Sequence, residues 1–273
     1  MTGMRRLALA ALLLTGPAAA QENVETFDFE GGKLTITEKD TGEKEVAFNG
    51  TLLASNYFVS FDREVEVGGT KVALVTVGEG GNACAPGTLI VWKDGEEVTG
   101  DYVGNDCGAP PPAVSDDRIL FVPYMLPGAT EDVMAWSPDE RIHLAGRLSF
   151  APQPGTNWAE LEPAKLAHML DAFRNADVYK GAQAILGKGL SDFATSLSVG
   201  GGPETLPSGV VWSSGCVPHA CGVSDGFMAI DAKAKKLYFA QQQDKGPPKA
   251  WPDAKSWPAE IRAAMTTAIG NKP

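Results

Sequence analysis

Histidine is almost missing from this sequence, with three in 273 residues, and cysteine is scarce at four. Chemistry that needs clustered imidazoles or thiolates, such as structural zinc, therefore has few residues to draw on. Basic residues are outnumbered, 23 against 34 acidic, for a net charge of −11. That balance works against binding nucleic acid or anionic lipid and favours a basic partner. No apolar run reaches the ~20 residues that a membrane-spanning helix needs. There is no internal repeat either, so a solenoid or propeller array is not indicated.

What is there begins at the N-terminus. Arg5 and Arg6 precede the short apolar stretch Leu7–Thr15, and Ala18-Ala19-Ala20 stand before Gln21. A basic start, a short apolar centre and a small-residue cleavage site make a secretory signal peptide over residues 1–20. No cysteine follows the cleavage site, so no lipid anchor is expected and the protein should be periplasmic or secreted. Loss of Arg5 and Arg6 leaves 21 basic residues against 34 acidic, a net charge of −13.

In an oxidising compartment four cysteines suggest two disulfides, with three possible pairings. Cys84 with Cys107 and Cys216 with Cys221 is the pairing that keeps each bridge within one half of the chain. In the chain-entropy model the shorter loop adds only about 2 kcal/mol, so the second bridge would chiefly shape one loop.

Residues 21–150 read as a β-rich domain. KLTITE (33–38), YFVSF (57–61), KVALVTV (71–77), TLIVW (88–92), RILFV (118–122) and VMAW (133–136) are rich in β-branched and aromatic residues. Turn signals separate them at Gly31-Gly32, Asn49-Gly50, Gly68-Gly69 and Asp94-Gly95. This spacing predicts an all-β sandwich or partly open barrel, with Gly68-Gly69 and Asp94-Gly95 as two-residue hairpin turns. The Pro- and Gly-rich stretch 151–163 reads as a linker. Beyond it, residues 164–273 predict an α+β domain, helices packed on a small antiparallel sheet. Leu166, Leu170 and Phe173 share one helical face, and Ile185, Leu186, Leu190, Phe193 and Leu197 share another that Gly187 and Gly189 could divide. VVWSS, FMAID and KLYFAQQ follow as strands, and Ser256 with Pro258 marks the start of a last helix.

Three motifs invite a catalytic reading. Gly78-Glu79-Gly80-Gly81-Asn82-Ala83 fits a dinucleotide fingerprint, but Cys84-Ala85-Pro86-Gly87 cannot supply the helix that must follow. Gly222-Val223-Ser224-Asp225-Gly226 fits a nucleophile elbow, yet no histidine lies downstream and a hairpin follows Ser224. Cys216, His219 and Cys221 lack the further ligands that a structural zinc site requires. No catalytic residue, metal or cofactor is assigned on these grounds, and the chain is read as a non-enzyme; a serine hydrolase through Ser224 is the least favoured alternative.

The remaining feature is Gly215-Cys216-Val217-Pro218-His219-Ala220-Cys221-Gly222, a histidine inside a potential six-residue ring. Pro218 restricts its own φ and biases Val217 towards extended backbone, while Gly215 and Gly222 can form tight turns at the base. Such a ring would present one imidazole, held before binding, to a recessed pair of acceptors such as two carboxylates.

Cys216-Val217-Pro218-His219-Ala220-Cys221-Gly222 resembles the C-x-P-H-x-C-G loop of the Ivy family, periplasmic and secreted inhibitors of c-type (vertebrate) lysozymes. The resemblance extends over about residues 180–270 and does not reach the β-rich domain. It implies that a Cys216–Cys221 disulfide closes the loop, that the loop enters the lysozyme cleft, and that His219, supported by Pro218, contacts the catalytic carboxyl groups. Such groups lie only ~5–5.5 Å apart in retaining glycosidases, a pair that one imidazole can bridge. Two positions depart from the family pattern: Val217 replaces a frequent basic residue and Ala220 a frequent aspartate. The expected function is cleft blockade of a c-type lysozyme or related basic muramidase. The alternative is a periplasmic envelope binding or structural protein without inhibitory activity.

Overall fold

A computed structural model describes residues 23–81, 84–105 and 108–270 of the chain. The expected signal peptide lies outside the described residues.

The N-terminal half is all β, built from three four-stranded antiparallel sheets, none closed into a barrel. The first is a meander of β1 (Val24–Phe29), β2 (Gly32–Glu38), β3 (Lys44–Phe48) and β4 (Thr51–Asn56). The second runs through β5 (Phe58–Val67), β6 (Thr70–Gly78), β7 (Gly87–Asp94) and β8 (Glu97–Val103). The third contains β9 (Pro112–Val114), β10 (Ile119–Phe121), β11 (Thr130–Ser137) and β12 (Arg141–Ser149).

The middle sheet is covered on both faces. Ala73, Val75, Leu89 and Val91 meet Leu34, Ile36 and Val46 of the first sheet, whereas Val72, Leu74, Ile90 and Trp92 meet Ile119, Phe121 and Trp136 of the third. This is why VALV (72–75) and LIVW (89–92) are unbroken apolar runs: successive side chains point to opposite faces, and here neither face is wet. Each fully buried Val or Leu contributes about 1.5–3 kcal/mol by leaving water.

The hairpin turns largely follow the sequence signals. Gly68 and Gly69, with φ of 57° and 76°, join the paired residues Val67 and Thr70, the doubly positive geometry of a type I′ turn. The β7–β8 turn is displaced by one residue from the expected Asp94-Gly95. Asp94 pairs with Glu97, so Gly95 and Glu96 are central, and only Gly95 has positive φ, 63°. Glycine at the first central position alone is the requirement of a type II′ turn.

The C-terminal half is α+β. Helices α1 (Ala176–Leu186) and α2 (Leu190–Thr195) precede a sheet of β13 (Val199–Gly200), β14 (Glu204–Thr205), β15 (Val211–Cys216), β16 (Gly226–Asp231), β17 (Lys236–Gln241) and β18 (Lys249–Trp251), and α3 (Ala259–Ile269) ends the chain's described part. One face of this sheet packs Met228, Ile230 and Phe239 under Phe173, Val178 and Phe193. Its other face packs Phe227, Ala229 and Tyr238 against Trp257, Ile261 and Met265 of the α3 side. The sheet is again central and dry on both sides.

Two local expectations, at 163–174 and at Ser256, differ in detail, while the division at Gly187 is as expected. The stretch 163–174 forms two 3-10 turns, Pro163–Lys165 and Met169–Arg174, rather than one helix. His168 interrupts it with extended backbone and caps the second turn: its Nδ1 accepts from Leu170 N–H at 3.2 Å, and Asp171 accepts from the His168 N–H at 3.2 Å. Leu170 and Phe173 are buried nonetheless, because 3-10 and α spacing place the same residues on one face over so short a run. The α1–α2 break falls at Gly187, whose φ is 57°. At α3, Ser256 does not cap the helix; its hydroxyl donates to the Asp253 carbonyl at 2.7 Å.

Residues 151–163 run against the N-terminus of α1. Ala176 N–H donates to Thr156 Oγ1 at 2.8 Å, Asn175 Nδ2 to the Asn157 carbonyl at 2.7 Å, and Trp158 N–H to Asp177 Oδ2 at 3.2 Å. Phe150 stacks obliquely on Tyr179 with ring centroids 5.1 Å apart.

Candidate functional site

The site is the connection from β15 to β16. β15 ends at Cys216, which is buried, and a disulfide joins it to Cys221 with the two Cα atoms 4.9 Å apart, an ordinary span for such a bond. Inside the ring, Ala220 N–H donates to the Val217 carbonyl at 3.0 Å, closing a four-residue turn. Pro218 occupies the first central position and His219 the second, with φ of +64°. Proline followed by a left-handed residue is the pattern of a type II turn, in which glycine or asparagine normally takes the second place. Histidine tolerates this backbone better than most side chains, though not freely.

The ring is tethered on its far side. Ala220 accepts from Val223 N–H at 3.2 Å and Ser224 N–H at 3.3 Å, and Gly222, with φ of +90°, donates to Asp225 Oδ1 at 2.6 Å. Asp225 in turn accepts on its carbonyl from Gln242 N–H at 2.8 Å, which ties the loop to the exit of β17.

Gly215 serves differently from Gly222. It is a strand residue paired with Gly226. A Cβ on Gly215 would lie 2.9 Å from the Leu197 Cα and from the Leu197 and Val199 carbonyl oxygens, and one on Gly226 would lie 2.2 Å from Ser196 Oγ. Both glycines therefore admit the chain leaving α2, and Gly226 N–H donates to the Ser196 carbonyl at 3.1 Å. Ser196 and Gln242 support the loop without any motif announcing them, and Asp225 and Gly226, which entered the sequence reading only as part of the Gly222–Gly226 elbow match, prove to be loop supports.

Pro218 and His219 are exposed, Val217 and Ala220 half-buried. The other two histidines are engaged: His168 in its cap, and His143 through Nδ1 to the Arg141 carbonyl at 2.9 Å and Nε2 to Glu140 at 3.2 Å. Among the described residues the His219 ring has no hydrogen-bond partner. Ser224 sits in the turn after the ring rather than between a strand and a helix, and its hydroxyl makes no hydrogen bond to a histidine. Among the described residues no three His, Cys, Asp or Glu side chains converge as a metal site. The glycine-rich segment after Gly78 leads into β7, not a helix. Cys84 is disulfide-bonded; its expected partner, Cys107, lies outside the described residues.

The two halves of the chain match different families. Residues 177–271, which contain the ring, match the family model described as "Inhibitor of vertebrate lysozyme (Ivy)". Residues 30–149, the stacked sheets, match the model described as "Y4bG N-terminal domain". The chain is also similar to "Uncharacterized protein y4bG" of Sinorhizobium fredii (strain NBRC 101917 / NGR234), 25% identical over 237 residues that cover 84% of each chain. No solved structure matches the chain.

Proposed function

We propose that this protein is an exported inhibitor of lysozyme-like muramidases, in which the Cys216–Cys221 ring enters the catalytic cleft and presents His219 to the catalytic carboxyl groups. The observation that carries this reading is the state of His219: exposed, left-handed, fixed within a covalent ring and without an internal partner. An imidazole so placed is a donor waiting for an acceptor. Rigidity before binding lowers the ordering cost of association. The stretch matched to the lysozyme-inhibitor family, residues 177–271, spans this ring and the sheet beneath it. No chemical step is required of the protein; it occupies the cleft.

The site residues in this proposal are Cys216 and Cys221 as the clamp, Pro218 and Gly222 as turn formers, and His219 as the plug, flanked by Val217 and Ala220. The parts are a signal peptide at 1–20, a β-rich domain at 21–150, a connecting stretch at 151–163 and the inhibitory domain at 164–273. Among the described residues no helix is long and apolar enough to cross a membrane. A basic muramidase would be drawn to a chain of net charge −11 before signal removal, so association should slow as salt rises.

The test is inhibition of a c-type lysozyme on cell-wall substrate by the full mature protein and by His219→Ala. Equal inhibition by two folded proteins would remove the ring from the mechanism. A second reading, an envelope binding protein without inhibitory strength, draws on Val217 and Ala220, whose apolar side chains offer the cleft no hydrogen bond. It predicts binding to cell-envelope components and no slowing of lysozyme.

A further inference from the structure

The far end of the C-terminal sheet carries a second, chemically different concavity. Its volume is about 390 Å³, and Trp158, Ile185, Leu237 and Tyr238 line it together with Lys235 of the β16–β17 turn and Lys236, the first residue of β17. It is well separated from the ring. β16 leaves the ring at Gly226 and reaches this turn after Asp231, roughly 17 Å away at ~3.3 Å per strand residue.

Three observations define what it would hold. First, 34 acidic residues are spread over the chain, yet none lines this cavity, and its two charged side chains are both lysines. Lys235 and Lys236 are exposed and form no ion pair among the described residues. Second, Trp158 and Tyr238 each bring one donor to the lining, while the Ser256 hydroxyl is spent on the Asp253 carbonyl. The Trp158 indole N–H and the Tyr238 hydroxyl have no hydrogen-bond partner among the described residues, and neither atom is sealed from solvent, so both are open to an entering acceptor. Burial, then the charge of Asp231, pushes the Tyr238 phenol up, so it remains a protonated donor. Asp231 itself is occupied in the turn, accepting Ala234 N–H at 2.9 Å. Third, α1 carries Gly181 in its interior beside Leu237, where an added Cβ would come within 3.2 Å of Leu237 Cδ1. Glycine in mid-helix costs about 0.5–1 kcal/mol relative to alanine, and here it keeps this wall of the cavity low.

Apolar walls, two unpaired ammonium groups and donors without acceptors select an anion with a hydrocarbon body. We propose that this cavity binds a small amphiphilic carboxylate, medium-chain acyl or aryl, with its charge between Lys235 and Lys236 and its apolar part against Trp158 and Leu237. The volume lies in the range of small-molecule sites, about 300–1,000 Å³.

Calorimetric titration of the full protein with octanoate, 2-naphthoate and, as an uncharged control, 1-octanol tests this. Octanoate or naphthoate should bind, octanol at least about tenfold more weakly, and Lys235→Ser/Lys236→Ser should lose about tenfold or more for the acids. Gly181→Leu, checked for an unchanged melting transition, should also abolish binding by filling the space. His219→Ala should leave these affinities unchanged, so the outcome is independent of lysozyme inhibition. Absence of acid binding at millimolar concentration, equal binding of octanol, or full affinity in the lysine variant would each overturn the assignment.

Discussion

Arg141 and His219 hold nearly the same backbone, with φ of 60° and 64°, and put it to opposite use. Arg141 begins β12 and turns its head inward over Trp92, 4.8 Å from the ring centre. Its Nε donates to Asp101 Oδ2 at 2.6 Å, and its Nη2 to Asp101 Oδ1. The same carboxylate accepts from Trp92 Nε1 at 3.0 Å and Trp136 Nε1 at 2.8 Å. One acid thus satisfies two indoles and a guanidinium and locks the second sheet to the third. His219 meets nothing. A left-handed residue costs roughly 1–2 kcal/mol; at Arg141 that cost is offset by contacts inside the chain, and at His219 the proposal requires a partner outside it. Backbone strain by itself therefore does not mark function.

The contrast can be broken by substitution. The largest expected effect is at the ring: His219→Ala should weaken lysozyme inhibition about 100-fold, near 2.7 kcal/mol, while the thermal unfolding transition stays in place. The reverse pattern belongs to Asp101→Asn, which should lower stability by about 2 kcal/mol by leaving donors of Trp92, Trp136 or Arg141 unmatched and should not touch inhibition. Loss of inhibition in that variant, with the protein still folded, would couple the two regions and undo the comparison.

Acid sharpens it further. Burial pushes the Asp101 carboxyl up, but the hydrogen bonds from Arg141 and Trp136, with the Arg141 charge and Trp92, outweigh that and hold it below the usual carboxylate range. A depressed folded-state pKa contributes stability that is present above the unfolded value, about 3.9, and disappears as pH falls through the folded value. Chemical denaturation from pH 6 to 2 should show this loss in wild type and a smaller one in Asp101→Asn. The smallest change in stability is expected for His219→Gly. Relief of the left-handed strain should raise stability by about 0.5–1 kcal/mol, measured by denaturant unfolding, while inhibition is lost as fully as in His219→Ala.

The ring residues were legible because covalent and local rules act over few positions. Cys216, Pro218, Cys221 and Gly222 each state a backbone constraint that the next residues must obey. The strands were legible for a related reason: β6, β7, β16 and β17 each hold a run of four consecutive apolar residues, VALV, LIVW, FMAI and LYFA, as a sheet covered on both faces requires. Less could be read where spacing is degenerate. Leu166, Leu170 and Phe173 recorded a buried face but not that 3-10 turns would present it. Gly215 looked like a turn former and is instead a strand residue that admits the Leu197–Val199 backbone. Asp101 carried no signal at all, since its three donors come from positions 9, 35 and 40 residues away.

The sequence by itself determined the class of each half, the apolar strands and the short ring, because hydrophobic periodicity and chain stiffness operate between near neighbours. Only the tertiary structure decided that there are three sheets rather than two, that Asp101 gathers Trp92, Trp136 and Arg141, and that of three histidines His219 alone is left facing outward. Those outcomes depend on which distant segments come to lie together, and no local preference encodes that.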